Sequence, residues 1–174
     1  MNFKYLLISA LLGGLASFVW GAVYHAGIGI DMRVMSEFKD SHAVSEFVRD
    51  HVSGNGMYYA HEGVLAAVHL TPDLADRSKQ SMAPQLVRQY VINAVAAGLL
   101  AWLLLFTTIR TVLGAGGLFA LAGLAAGVDS GLSAWNWYGH PVNFTLAMIF
   151  DQVACFFVAG LVIGWLRRKF APAT

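Results

Sequence analysis

Four long stretches without Asp, Glu, Lys or Arg organise the chain. Tyr5 to Ile30 runs 26 residues, Gln89 to Ile109 runs 21, and Thr111 to Val128 runs 18. Ser130 to Phe150 adds 21, and the apolar pattern resumes after Asp151 as far as Leu166. A helix needs about 20 apolar residues to cross the hydrocarbon of a bilayer. The stretches lack the alternation of barrel strands, so helices are the form that satisfies their backbone in lipid. The pattern predicts an all-α membrane protein, a bundle of four transmembrane helices over residues 5–29, 85–107, 109–135 and 142–166. The first span follows Lys4, as the core of a signal peptide would follow its basic start. Its apolar run is too long for that, and Tyr24 spoils the cleavage pattern before Ala26. It is read as an uncleaved helix.

Between the first two spans lies a polar segment, residues 31–83, expected to form a small, partly helical exterior unit. Asp40 or Ser41 can cap a short helix in which Val44, Phe47, Val48 and His51 recur at helical spacing. Ser53-Gly54-Asn55-Gly56 signals a turn, with Asn-Gly favouring positive φ. Met57-Tyr58-Tyr59-Ala60 then reads as extended. Thr71 and Pro72 suit the cap and first position of another helix. Ser78 to Gln85 reads as a linker. So short a segment is not a comfortable domain alone; it reads as a cap on the bundle or on a partner. Residues 1–30, 31–83 and 84–174 are thus the first span, the exterior segment, and the remaining spans with a short basic tail.

Composition sharpens this picture. Hydrophobic residues make up 57% of the chain, charged residues 12%, and mean hydropathy is +0.61. A soluble domain carries about 25% charged residues. A soluble globule and a disordered chain are therefore excluded. Net charge is +1, which offers no basic surface for nucleic acid. The single cysteine, Cys155, excludes an intrachain disulfide.

The few charges also give an orientation. Lys4, Arg110, Arg167, Arg168 and Lys169 fall on one side of a four-span chain. Residues 31–83 carry five Lys/Arg against eight Asp/Glu. The rule that basic flanks stay inside predicts both termini in the cytoplasm of a bacterial inner membrane. The long segment and a Trp135-to-Pro141 turn then face the exterior, with Trp135, Trp137 and Tyr138 at headgroup level.

Thirteen of the 21 charged residues lie in the exterior segment and five flank the basic ends, leaving Arg88, Asp129 and Asp151 inside the spans. Ionisable groups cost several kcal/mol there and are functional candidates by default. With His25, Asn93, His140 and Asn143 they collect in the outer half of the bilayer. The other half is almost pure Leu, Ala, Phe and Val. One reading is a polar pocket open to the outside, holding a quinone, a lipid headgroup or a haem. The competing reading is an Arg88–Asp129 or Arg88–Asp151 ion pair that locks helix register. Passage of protons through Asp129 and Asp151 ranks last, because no polar path continues inward and no inverted repeat of the transporter kind is present.

Other chemistry is weakly signalled. His25 and His140 are the only pair for a haem, and His140 sits in a turn beside Pro141. His42, His51, His61, Glu62, His69 and Asp73 show no firm metal spacing, so no metal site is expected. Cys155 should be an unreactive small hydrophobe among apolar neighbours. No nucleophile elbow, phosphate loop or zinc-protease pattern occurs, which favours a non-enzymatic role.

Small residues mark packing surfaces. Gly123, Gly127 and Gly131 form a small-xxx-small stripe in the third span, extended by Gly116 and Ala120. Gly13, Gly14, Ser17 and Gly21 do the same in the first. Close packing of spans 1 and 3, or of 3 with a neighbour, is expected. The second span shows a bulky face of Leu99, Leu100, Trp102, Leu103, Leu104 and Phe106 for lipid or a partner.

Phe18-Val19-Trp20-Gly21, Gly56-Met57-Tyr58, and Trp135 to Pro141 followed by Asp151 together carry a resemblance. The chain resembles small bacterial four-span membrane proteins of unknown function. The resemblance implies the architecture over most of the chain and transfers no catalytic residue. Tyr58-Tyr59-Ala60-His61 departs from a more apolar run ending in Pro. The expectation is an accessory or structural subunit of a larger membrane complex, of the respiratory or photosynthetic kind. It would associate with lipid and with other subunits or a second copy. The alternative is a membrane protein binding a small molecule at the polar cluster.

Overall fold

The computed structural model describes residues 3–70 and 82–170. It divides into two compact units, residues 1–34 with 83–174, and residues 35–82. In the first unit α1 spans Phe3–Gly21, continues as a π-helical segment Ala22–Ile28, and is followed by the short α2, Ile30–Arg33. The second unit holds α3 (Ser41–His51) and a hairpin of β1 (Gly56–Ala60) and β2 (Val64–Val68). The first unit resumes with α4 (Ala83–Leu105), α5 (Val112–Tyr138) and α6 (Val142–Phe170). Four helices, α1 with its π segment, α4, α5 and α6, are long and apolar enough to span a membrane.

Local chemistry sets the helix ends. Thr111 caps α5 by accepting from the Gly114 N–H at 3.0 Å. Residues 109–111 are therefore not yet in the helix. Gly139 ends α5 with φ of 69°, which an L side chain resists. Trp135 to Tyr138 are helical, so the expected Trp135-to-Pro141 turn shrinks to Gly139–Pro141. Arg167, Arg168 and Lys169 belong to α6 rather than to a free tail.

The helices pack in the order α4, α1, α6, α5. Small residues decide these contacts. A Cβ on Gly14 would lie 2.5 Å from the Ala94 Cα, so α1 and α4 approach to backbone contact. The glycine stripe of α5 faces α6. A Cβ on Gly123 would meet the Gln152 carbonyl at 2.7 Å, and those on Gly127 and Gly131 would meet Ile149 at 3.3 and 3.1 Å. Gly160 and Gly164 of α6 return the contact against Ala115. Of the two pairings expected for the third span, the structure selects the fourth span and not the first. The three-residue connection makes those helices antiparallel neighbours.

The shared core lies toward the end of the unit that carries both termini. Tyr5, Ala97, Leu100, Ala101, Leu104, Phe119 and Ile163 are buried together there, so Leu100 and Leu104 leave the outward face expected of the second span and join the core. Elsewhere burial is sparse: each span buries only between 17% and 28% of its apolar window. The remaining apolar surface needs lipid or protein around it.

In the second unit, Asp40 caps α3 by accepting from the Ala43 N–H at 2.9 Å. The extended stretch at Met57–Ala60 pairs antiparallel with Val64–Val68, Tyr58 opposite Ala66. The second strand escapes sequence reading because Leu65-Ala66-Ala67 has little β-propensity. Among the described residues no non-glycine has positive φ, so Asn55 does not play the turn role expected of it. Its side chain accepts from the Leu70 N–H at 2.7 Å instead, closing the base of the hairpin. Tyr58 donates to the Gly54 carbonyl at 2.8 Å and ties the turn down. The helix expected at Thr71 and Pro72 lies outside the described residues. Of the expected Ser78–Gln85 linker, Ala83 to Gln85 are helical. Asp40→Ala should cost α3 about 1 kcal/mol. Amide exchange should speed up in residues 41–51 while α4 to α6 are unchanged.

Candidate functional site

Asp151 is the one carboxylate of the four long apolar helices held by partners from another of them, among the described residues. It sits nine positions into α6 from Val142, with a side chain 17% exposed. Trp20 of α1 donates its indole N–H to one carboxylate oxygen at 2.7 Å. His25 Nε2 lies 3.6 Å from the other oxygen, ion-pair distance rather than a hydrogen bond. Tyr24, fully buried, donates to the Ala147 carbonyl at 2.8 Å. Phe150 packs at 6.4 Å from Trp20 and 6.3 Å from Tyr24. The seam between α1 and α6 is thus a carboxylate in an aromatic frame.

The π segment Ala22–Ile28 carries this geometry. Widening the helix changes the angular step between residues, so Tyr24 and His25 both reach α6. Such segments are uncommon and occur often at functional sites. Trp20 also lines an apolar groove of about 500 Å³ with Leu12, Leu15, Val19, Val23 and Val158. One side chain therefore touches both the carboxylate and an apolar surface able to hold a hydrocarbon chain.

Of the seven polar residues grouped from sequence, the structure brings together His25 and Asp151. Arg88 and Asp129 are exposed and, among the described residues, form no ion pair with each other or with Asp151. The physical reason is the packing order: α4 lies on α1, and α5 on α6, so the helices carrying Arg88 and Asp129 are not neighbours. Asn93 accepts from Gln89 one turn away at 3.0 Å. Asn143 accepts from the Phe144 N–H at 3.0 Å, and His140 packs edge-on against Phe144 at 5.5 Å. Among the described residues no hydrogen bond or ring contact joins His140 to His25. None gathers three His, Cys, Asp or Glu side chains into a metal-holding group.

Two groups escaped sequence reading. Trp20 and Tyr24 stand one turn apart in an aliphatic span, and a buried indole N–H needs an acceptor; that demand pointed to Asp151. Arg167 is the second. It is only 2% exposed, although its position suggested a solvated flank. Its guanidinium donates to the Leu104 carbonyl, to the Thr107 carbonyl at 2.9 Å and to the Thr107 hydroxyl at 3.2 Å. It thereby caps the end of α4, where the Thr107 carbonyl, among the described residues, has no other donor and the Leu104 carbonyl is shared with the Thr107 N–H and hydroxyl.

The second unit holds an open groove of about 340 Å³ between α3 and β2, lined by Val44, Val48, Ala66 and Val68 among others, and an exposed apolar surface around it. Among residues 35–70 none is buried. Phe38, Phe47, Met57, Tyr59 and Val64 are each more than 60% exposed. Phe47 stacks on His51 at 4.2 Å, and Tyr59 packs edge-on against His61 at 5.4 Å. Comparison with protein-family models, curated proteins and solved structures returns no match to this chain.

Proposed function

We propose that this multi-pass chain is a non-catalytic subunit of a larger membrane assembly, with both termini in the bacterial cytoplasm. The observation that carries this reading is the second unit. Its described part forms a helix and a hairpin yet buries no residue and exposes five large apolar side chains above 60%. A two-stranded hairpin is marginal by itself in water. Segments this short seldom hold a fold without added support. A covering surface supplies what the unit lacks, and a protein subunit matches the mix of Phe, Tyr and Met on it. Respiratory and photosynthetic complexes are the first class to search. The test is extraction from native membranes in a mild detergent followed by native mass spectrometry. A fixed stoichiometry with a second polypeptide, or with a second copy, supports the reading. A lone monomer at all detergent strengths opposes it.

A second reading rests on the seam at Asp151. The Trp20–Asp151–His25 arrangement beside an apolar groove suits a molecule with a hydrocarbon tail and a small hydrogen-bonding head, a quinone or a lipid. Mass spectrometry of extracted lipids and quinones should then show one species enriched in the wild type. Trp20→Phe with Asp151→Asn should lose it by about tenfold, the loss of one charge-assisted hydrogen bond. Equal retention by the variant would sink this reading.

A further inference from the structure

Five cations gather at the end of the helices that carries the termini: Lys4, Arg110, Arg167, Arg168 and Lys169. None of the ten Asp and Glu lies near them along the spans. The nearest on α6 is Asp151, 16 residues from Arg167, or roughly 24 Å at the helical rise. The nearest on α5 is Asp129, 19 residues from Arg110, and α4 has no acid at all. Among the described residues this end of the unit therefore has no internal counter-charge.

Folding draws Lys4 and Lys169 together. Lys4 from α1 and Lys169 from α6 converge on one ring, their ammoniums 5.5 and 5.6 Å from the centre of Phe170. Lys169 also lies 5.3 Å from the Trp165 ring. Arg167 is spent on capping α4, and Arg110 lies in the connection between α4 and α5. Lys4, Arg110, Arg168 and Lys169 remain exposed. Exposed apolar rings lie on the same helix ends: Phe3, Phe106 and Trp165 are 71%, 74% and 51% exposed. A soluble anion would find use for the cations alone. A molecule with an anionic head and hydrocarbon chains matches both the cations and the rings.

We infer that this end of the unit binds an anionic phospholipid, its phosphodiester held by Lys4, Arg168 and Lys169, with Arg110 at the flank. Its acyl chains lie along the exposed apolar helix surface beside Trp165. The lysines sit over rings, which holds their ammoniums at the depth of a headgroup phosphate. Basic pockets between spans are a known manner of recognising such headgroups. An acidic segment of a partner protein is the competing ligand, and it would make no use of the neighbouring rings. The site is independent of the proposed subunit role, because it involves neither residues 35–82 nor Asp151.

The test uses the full chain in detergent, with phosphatidylglycerol, phosphatidylcholine or inorganic phosphate as the probe in native mass spectrometry. Phosphatidylglycerol should be retained over phosphatidylcholine, and the preference should shrink in high salt. Each cation removed should weaken it by about fivefold. Lys4→Gln/Lys169→Gln and Arg110→Gln/Arg168→Gln are two separate variants at exposed positions, so each checks the other against a folding defect. Equal retention of the two lipids would overturn the inference. So would an undiminished preference in both variants, or displacement of the lipid by an equal concentration of phosphate.

Discussion

Replacing Arg167 with leucine should destabilise the helical unit by about 1–3 kcal/mol, the penalty for leaving a buried acceptor without its donor. The Thr107 carbonyl just past α4 takes its hydrogen bond from this guanidinium, and the Leu104 carbonyl shares it with the Thr107 N–H and hydroxyl. Burying an arginine carries its own desolvation cost, which the substitution would relieve. The Thr107 carbonyl decides the sign, because among the described residues no other donor reaches it. Arg167→Lys should recover only part of the loss, since a single ammonium cannot reproduce the fork that reaches both carbonyls. Unfolding by sodium dodecyl sulfate, followed by circular dichroism, reads the difference. Thr107→Val provides a coupling check. Its effect should be smaller in the Arg167→Leu background than in the wild type, because the hydroxyl is a partner of the same group, while its own bond to the Leu104 carbonyl is lost in both. An Arg167→Leu protein as stable as the wild type would contradict the capping role.

Gly14→Ala should cost more than any other single methyl added to the spans. The new Cβ would lie 2.5 Å from the Ala94 Cα and 2.7 Å from its amide nitrogen. Both are backbone atoms, so relief requires α1 and α4 to move apart. Overpacking of this kind costs about 1–3 kcal/mol, and separation of the helices should bring it to the upper part of that range. Gly117→Ala is the matched control, because nothing lies within 4 Å of a Cβ there. That change should be neutral or stabilising by up to about 1 kcal/mol, from the better helix propensity of alanine. The same unfolding assay separates the two. Equal behaviour of the pair would mean that α1 and α4 are not in backbone contact.

These two residues also show how far the sequence could be read. The spans were legible because length and lack of charge are enough to define them. The caps at Asp40 and Thr111 follow from local side-chain chemistry that neighbouring residues display. Glycine stripes announced close approach but not the partner. Gly14 meets α4 and Gly123 meets α6, and a stripe looks alike whichever helix lies against it. Arg167 read as a solvated flank because a basic residue at a helix end usually is one. Only the carbonyls of α4, 60 and more positions away in the chain, reveal its burial.

The polar cluster was half legible for a similar reason. Depth along each helix can be counted from sequence at about 1.5 Å per residue. Rotation about each axis and the neighbour it faces cannot. Asp151 and His25 share a seam, whereas Arg88 and Asp129 stand at similar depths on helices that do not pack together. The π segment, which turns His25 toward α6, has no signature in residues 22–28 that periodicity alone could detect.

The central claim is that another polypeptide covers the uncovered surface of residues 35–70. Its most direct test is a photo-crosslinking amino acid at Tyr59 or Phe47, both more than 60% exposed, activated in intact native membranes. One discrete crosslinked product of higher protein mass, formed from both positions and not from the exposed Leu121 of α5, is the expected result. Crosslinks only to lipid, or none above the background set by Leu121, would contradict the account.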